Sequence, residues 1–583
     1  MLANKKRLIA FIFIFILPIL LVGCRNKESK QFDTFLEELF VEEMEANPLD
    51  IPYTIANPSV YGLEDVTPSL PNLSQEAFDK DIQRIENNLE RLSAFNYEAL
   101  TDEQQLTYDI LTHYYETALM GKDLYEHTKT VSPSLGIQAQ LPTFFAEYPI
   151  RSEEDIDTYF NLLAEVPDFF AEIIDLKKNK SENNLLMPAF ALEKSIAQIH
   201  AFTDSTTDNF LIEIFEDKIV TLDNMSSAKV EAFSTAHKEI ILHTVIPAYN
   251  HLARELHELI HDATHDKGLY YLENGNAYYE YLFASNTGSS KSIEEIIDLI
   301  NERIALTIHK NQLIAQIDYS VIEAYMNFSY DQDTPENTID FLIEGMSEDF
   351  LDIDLPNLDI KYVHPSLEAH LSPAFYLIPP IDEPNDQVVY INNSQLAHSD
   401  YFYTTIAHET YPGHLYQYTF FRNQDVPTIR QILHYPAYSE GWAVYSENYA
   451  IEFLEVSSLL SQILQSDRTI DLMIQGRVDI GVNYEGWTLE DTANYLNSLG
   501  VHLSLEDVRP MFEYVIEEPA NTLKYSIGYL EMLLLLEKAY ELDEDLAIKN
   551  FHELILKIGP APFEVIENAL ENRLSYNDTN KAA

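Results

Sequence analysis

The sequence predicts a mainly α-helical protein with one small β-element. Apolar residues recur at spacings of three and four through residues 75–122, which is the periodicity of amphipathic helices. Ser292 followed by Glu295 is typical of a capping box and opens another long helical pattern. By contrast, residues 387–392 are β-branched and aromatic and predict a strand. We therefore expect a large multi-helix fold with a single small β-element.

The first 23 residues have the layout of a bacterial export signal. Basic residues 5–7 precede an apolar run over 8–22, and the run ends in LVGC, which resembles a lipobox. Cys24 is the only cysteine of the 583 residues. We expect cleavage before Cys24 and a diacylglyceryl anchor on its thiol, so that the protein is held at the cell membrane on the extracytoplasmic side. An uncleaved membrane anchor is the alternative.

The chain is strongly acidic, with 96 acidic against 36 basic residues and a net charge of −60. Binding to nucleic acid relies on lysine and arginine side chains that neutralise phosphates, so we expect no nucleic-acid partner. A phosphate-binding glycine loop is also missing from the sequence, and with only 16 glycines we expect no nucleotide. The acidity itself is typical of a protein kept soluble by charge repulsion.

Two short stretches, AHETYPGHLYQ and YSEGWAVYSE, hold the side chains of a catalytic zinc site. Zinc hydrolases use three protein ligands and leave the fourth position to water, whose proton a neighbouring carboxylate removes. Glu409 follows the first histidine directly and is our predicted general base. The predicted ligands of one Zn²⁺ ion are His408, His414 and Glu440.

The six-residue spacing of the two histidines needs a break in the helix. In the usual H-E-x-x-H pattern the histidines lie four apart and share one helix face. Six residues of unbroken helix rotate by about 600° and rise by about 9 Å, so the two rings would diverge. Pro412 and Gly413 lie between the histidines, and proline does not continue a helix while glycine tolerates unusual backbone angles. We predict that this Pro-Gly pair restores the four-residue geometry.

A second stretch, HELIH at residues 257–261, matches the usual pattern letter for letter, with Glu280 as a potential third ligand. Its surroundings are charged on both sides, whereas residues 404–407, just before the first predicted ligand, are uncharged. A catalytic zinc helix belongs in a dry cleft, where a low dielectric strengthens the chemistry. We therefore interpret HELIH as a solvated helix face.

Three further side chains are predicted to act around the site. Glu447 lies seven residues after Glu440, nearly two helical turns, and is expected to orient a ligating histidine. The alternative for Glu447 is a solvated side chain. The predicted strand is expected to pair through a free edge with an extended peptide. Tyr390 and Asn392 would then bind substrate, and ordinary sheet packing is their alternative.

The two stretches resemble the paired signatures of a bacterial family known as "domain of unknown function 885", many of whose members are exported or lipid-anchored. Weaker landmarks of the same family are Asn47-Pro48, NGNAYYEYLF, VHPS, VVYINN and KYSIGYL. The site is also similar to that of the helical gluzincin peptidases, the group containing angiotensin-converting enzyme. This resemblance implies a zincin-like fold with a central cleft. It also implies that a tyrosine stabilises the oxyanion, and Tyr525 matches that position, with Tyr529 in reserve.

These observations together predict a zinc-dependent peptidase that acts on peptide substrates. Residues 24–74 are expected to form a tether and an irregular entry. Residues 75–583 are expected to form one unit, with a helical half to about residue 350 and a metal-bearing half from about 351. Two alternatives stay open: a zinc hydrolase of a non-peptide amide or ester, and a lipoprotein binding module without catalysis.

Overall fold

Helices form most of the structure, which confirms the predicted mainly α fold. The computed structural model describes residues 27–204, 209–222, 225–330, 334–365, 368, 372–396 and 401–581. Within them lie helices that we number α1–α24 and strands that we number β1–β3. Cys24 and the export segment lie outside the described residues. Among the helices that are described, none is both long enough and apolar enough to cross a bilayer.

Residues 27–46 form helix α1, so the predicted tether over residues 24–74 is wrong in this part. Apolar residues recur along α1 at helical spacing and bury one face in the main core; among them are Phe32, Phe35, Leu36, Leu39 and Phe40. Ion pairs also hold α1 in place: Arg91, from a later helix, binds Glu38 at 2.9 Å and Glu42 at 2.8 Å. The division of the remaining chain into two halves stays a prediction.

Six helices in the first half enclose a core of their own. They are α5 (Ile137–Glu147), α6 (Glu153–Glu182), α7 (Ala189–Thr203), α8 (Phe210–Val220), α9 (Ser227–Ile240) and α10 (Ile246–Leu259). A single π-helical turn, Ile241–Val245, joins α9 to α10. The apolar stripes of these helices face each other, so this layer packs as a separate cluster.

A larger core joins the N-terminal helices to the second half of the chain. Its N-terminal members, besides α1, are α2 (Ile51–Thr54), α3 (Gln75–Ser93) and α4 (Asp102–Met120). The helices of this core that follow are α11 (Gly275–Thr287), α12 (Ile293–Ile317), α14 (Pro335–Gly345), α15 (Asn393–Leu396), α16 (Phe402–Glu409), α17 (His414–Arg422) and α18 (Pro436–Tyr449). The last six are α19 (Ser458–Asn483), α20 (Leu489–Ser498), α21 (Leu505–Glu517), α22 (Leu523–Leu542), α23 (Ile548–Ile558) and α24 (Phe563–Lys581). Helix α13 (Ser320–Met326) packs in a smaller cluster with the start of α19. The predicted capping box at Ser292 opens α12 and is confirmed.

A three-stranded sheet precedes the helices that carry the site. Its strands are β1 (Asn357–Tyr362), β2 (Ala374–Leu377) and β3 (Asp386–Ile391), in the order β1-β3-β2. β3 pairs with β1 in parallel and with β2 in antiparallel register. The strand predicted from the sequence is therefore the central one, and β2 lies at an edge, packed against α16.

Candidate metal centre

The chain breaks its helix between the two histidines, as the sequence predicts. α16 ends at Glu409 and α17 begins at His414, with non-helical backbone at Thr410 and Gly413. Gly413 is required here, because a Cβ at this position would lie 1.9 Å from the carbonyl oxygen of His408. The buried Trp442 anchors the break, since its indole N–H donates to the carbonyl of Pro412 at 3.0 Å.

Helix α18 brings Glu440 to the histidines because it packs tightly against both α16 and α22. Two glycines meet where α18 packs on α22: a Cβ on Gly441 would lie 2.4 Å from the carbonyl carbon of Gly528. Glycine at both positions lets the two backbones touch and fixes Glu440 relative to α22. The sequence marks Glu440-Gly441 as part of the site, but nothing in it identifies Gly528 as the glycine that packs against Gly441.

The three predicted ligands lie together in the structure. Nε2 of His408 and Nε2 of His414 are each 3.4 Å from Oε2 of Glu440. All three potential ligand atoms lie within 4.8 Å of one another. Two ligand atoms bound to one tetrahedral zinc ion at about 2.1 Å lie about 3.4 Å apart, so this donor set fits zinc. Among the described residues, no other group of this kind is found.

Glu447, predicted to orient a histidine, contacts His408. The Nδ1–H of His408 donates to Oε2 of Glu447 at 2.9 Å, which leaves Nε2 to face Glu440. Nε of Arg468, on α19, donates to the other carboxylate oxygen of Glu447 at 2.6 Å. Burial opposes the charged form of Glu447, but Arg468 and His408 hold the pKa of this carboxyl group below its usual value. Sequence reasoning missed Arg468, because nothing in its local pattern marks it.

The carboxylates around His408 favour positive charge. Burial lowers the pKa of His408, but hydrogen bonds with Glu440 and Glu447 outweigh it and raise the pKa to about 10. Burial likewise works against ionised Glu440, yet the two histidines hold the pKa of Glu440 well below its usual value. A field that stabilises a proton on an imidazole in this way also favours a metal cation at the same place.

Glu409, the predicted base, lies at the C-terminal end of α16 and faces strand β2. Its Oε2 accepts a hydrogen bond from the backbone N–H of Tyr376 at 2.9 Å. Burial raises the pKa of Glu409, and the charges of His408 and His414 oppose that rise. The Glu409 carboxylate is thus held next to the two histidines and against strand β2.

Helix α22 places two polar side chains at Glu440. Tyr525 forms a side-chain hydrogen bond with Glu440, and burial followed by the charge of Glu440 raises the pKa of this tyrosine well above its usual value. Nζ of Lys524 lies 3.5 Å from Oε1 of Glu440, a contact that the sequence did not predict. The reserve candidate, Tyr529, is buried elsewhere, where its hydroxyl bonds Asn448 and Thr469.

Comparison with known proteins places the chain in a family. The sequence profile described as "Bacterial protein of unknown function (DUF885)" matches residues 59–570. The chain belongs to this family. A search of curated proteins found no significant match.

Among solved structures, the fold is similar to that of two bacterial proteins. The first is a candidate lipoprotein from Colwellia psychrerythraea, with 18% identity, a TM-score of 0.79, and coverage of 94% of this chain and 100% of the other. The second is a candidate lipoprotein of unknown function from Shewanella oneidensis, with 14% identity, a TM-score of 0.63, and coverage of 92% and 99%. At these identities the likeness shows a shared fold.

The HELIH stretch, the alternative metal motif, does not form a metal site among the residues that the structure describes. His257, Glu258 and His261 are exposed, and α10 ends between them at Leu259. Glu280 is also exposed and accepts from the hydroxyl of Tyr484 at 3.4 Å. The interpretation of this stretch as a solvated face agrees with that exposure.

The prediction that the strand offers a free edge beside Tyr390 and Asn392 is wrong, because both edges of β3 are paired. The hydroxyl of Tyr390 donates to Glu147 at 2.9 Å, and its ring stacks on Phe375. Asn392 is fully buried and donates to the carbonyl of Glu368 at 2.8 Å. These contacts correspond to the alternative that the sequence left open, ordinary packing within the sheet.

Proposed function

We propose that this DUF885 protein is a zinc-dependent peptidase, anchored through Cys24 on the extracytoplasmic side of the cell membrane. One observation carries the hydrolase proposal: the ligand atoms of His408, His414 and Glu440 lie within 4.8 Å of one another, and Glu409 follows the first of them. The names of the Colwellia and Shewanella proteins, both candidate lipoproteins, support the anchor.

A zinc ion bound by the three ligands would supply a water of lowered pKa and polarise the scissile carbonyl. Glu409 would take the proton of that water and return it to the leaving amine. Its hydrogen bond with the Tyr376 amide fixes the orientation of the carboxylate. Glu447 keeps the proton of His408 on Nδ1, and Tyr525 would donate to the developing oxyanion.

The proposed place for the substrate is β2 and not β3. β2 is an edge strand, and the backbone N–H of Tyr376 is directed to Glu409 and not to β3. Extended peptides add to exposed strand edges through main-chain hydrogen bonds. We therefore place the scissile segment along the outer edge of β2, beside the general base.

Metal analysis of protein purified without a histidine tag tests the proposal. We expect one zinc ion per chain in the wild type and in His257→Ala, and none in His408→Ala. The variant Glu409→Gln should keep its zinc and lose hydrolysis of a mixed peptide pool. If His257→Ala lost its zinc and His408→Ala kept it, the metal site would have to be assigned to the HELIH stretch. A wild type without zinc at neutral pH would end the enzyme proposal and favour a binding module.

A further inference from the structure

A second cavity, of about 220 Å³, lies between the first-half helices and the segment that leads into α22. It shares no lining residue with the metal cluster. One part of its wall is apolar and includes Leu135, Leu186, Met187, Leu272 and Ile516. The other part is cationic and contains Lys129, Lys177, Lys180 and Lys267.

The acidic side chains of the wall already have cationic partners. Glu518 binds Nζ of Lys129 at 2.7 Å and also accepts from the backbone N–H of Leu135 at 3.0 Å. Glu517 is paired with Lys194, a lysine that does not line the cavity. The carboxylates of the wall therefore do not supply a counter-charge to the other lysines.

Within the part of the chain that the structure describes, no carboxylate forms an ion pair with Lys177 or Lys180, although the charge of Glu126 acts on Lys180 from farther away. Nζ of Lys180 donates to the carbonyl of Thr128 at 2.6 Å. Nζ of Lys177 has only distant contacts, 3.5 Å to the carbonyl of Val131 and 3.8 Å to the sulfur of Met187. A contact of that length is a weak hydrogen bond at best. The amino group of Lys177 therefore has unused hydrogen-bonding capacity.

Burying these two side chains is costly unless something supplies negative charge. Lys177 is 2% exposed and Lys180 is 6% exposed. Burial lowers the pKa of Lys177 well below its usual value and that of Lys180 to about 7. The chain carries 96 carboxylates, so a protein counter-ion would be easy to provide, yet these lysines face a cavity. A buried charge without a partner is strongly destabilising, so an anion bound in the cavity would stabilise the charged form of both lysines.

We propose that this cavity binds a small organic carboxylate, whose charged group contacts Lys177 and Lys180 and whose hydrocarbon part packs against the apolar wall. The negative charge of the bound carboxylate would favour the protonated form of both lysines, which then donate hydrogen bonds to it. The apolar wall favours such a ligand over a fully polar anion, because an inorganic ion would leave the leucines and Met187 without a partner. The proposal is independent of the metal centre and of peptide hydrolysis.

Calorimetric titration of the full-length protein with hexanoate tests the proposal, with hexan-1-ol as the neutral probe of similar shape. We expect saturable binding of hexanoate, at least about tenfold tighter than that of hexan-1-ol, because the alcohol lacks the charge that the lysines complement. Equal affinities for the two probes, or no hexanoate binding in the wild type, would overturn the proposal. This comparison uses the wild type alone and so does not depend on any variant folding.

Matched variants locate the binding. Lys177→Met keeps the length of the side chain but removes its charge, and it should weaken hexanoate binding by at least about tenfold with little effect on hexan-1-ol. Lys180→Met should act in the same direction. The exposed Lys122 serves as the control, and Lys122→Met should bind hexanoate like the wild type. Hexanoate affinity that is unchanged in both cavity variants would show that the ligand binds elsewhere and would also refute the assignment.

Discussion

The imidazole of His408 and the carboxylate of Glu447 form a 2.9 Å hydrogen bond that orients the candidate metal centre. Because the carboxylate accepts a hydrogen bond from Nδ1–H, the other ring nitrogen, Nε2, faces Glu440 and can serve as a metal ligand. Arg468 binds the second oxygen of Glu447 and keeps that carboxylate charged inside the protein. Three helices, α16, α18 and α19, are thereby coupled at one histidine.

Glu447→Gln should weaken zinc binding without removing a ligand. We expect a loss of affinity of about 10–100-fold, since the amide can accept the hydrogen bond but no longer raises the basicity of His408. Competition with a zinc-binding dye measures the change. Glu531→Gln provides the matched control, because Glu531 is an equally buried carboxylate that pairs with Lys291 instead. Equal zinc affinities in the two variants would contradict an orienting role for Glu447.

Tyr525→Phe should lower kcat and leave zinc content unchanged. Loss of a single oxyanion donor costs about 10²–10³ in kcat, or about 2.7–4 kcal/mol. Steady-state kinetics on a peptide that the wild type cleaves would measure this. Tyr529→Phe is the control: its hydroxyl bonds Asn448 and Thr469, so its removal should cost about 0.5–1.5 kcal/mol of unfolding free energy and spare kcat. If Tyr529→Phe loses turnover and Tyr525→Phe keeps it, the two roles are reversed.

Gly413→Ala should disrupt the metal cluster from the backbone. The added Cβ would meet the carbonyl oxygen of His408 at 1.9 Å, and the resulting shift should cost about 1–3 kcal/mol or more and reduce zinc stoichiometry. Urea unfolding and metal analysis measure the two effects. At Gly500 a Cβ meets no atom within 4 Å, so Gly500→Ala should only suffer from its positive φ and keep its zinc. A fully zinc-loaded Gly413→Ala protein would show that the break tolerates a side chain.

Cys24→Ala should abolish lipid attachment. Cys24 is the only cysteine, so no other thiol can carry the acyl chains. We expect radioactive palmitate to label the wild type and not the variant, and the variant to leave the membrane fraction if its export signal is still processed. Labelling that persists in Cys24→Ala would refute the anchor.

The features that sequence reasoning predicted are those encoded by neighbours along the chain. The helix break depends on Pro412 and Gly413 themselves, so their backbone chemistry was sufficient to predict it. Glu447 was found from helical periodicity relative to Glu440, which fixes both side chains on α18. The capping box of α12 belongs to the same class.

Contacts between distant segments were not predictable in this way. Arg468 binds Glu447 across 21 residues, and Tyr376 binds Glu409 across 33, with no local pattern that marks either pair. The order of strands in the sheet has the same origin: the composition of β3 indicates a strand but does not say which strands lie beside it. Helix α1 is a different case. Its apolar residues recur at helical spacing and could have predicted a helix, but its position directly after the export signal favoured a tether.

Helix α1 would also limit how far a protein anchored through the proposed lipid on Cys24 can stand from a bilayer. The side chain of Glu28 already accepts from the backbone N–H of Asn96 at 3.0 Å, and the carbonyl of Ser29 accepts from Gln104 at 2.9 Å. The four residue-to-residue steps from Cys24 to Glu28 can span at most roughly 14 Å, so a lipid on Cys24 would hold the folded body within about that distance. Such an enzyme would work within a thin zone above the lipid headgroups, and its substrates would have to reach it there.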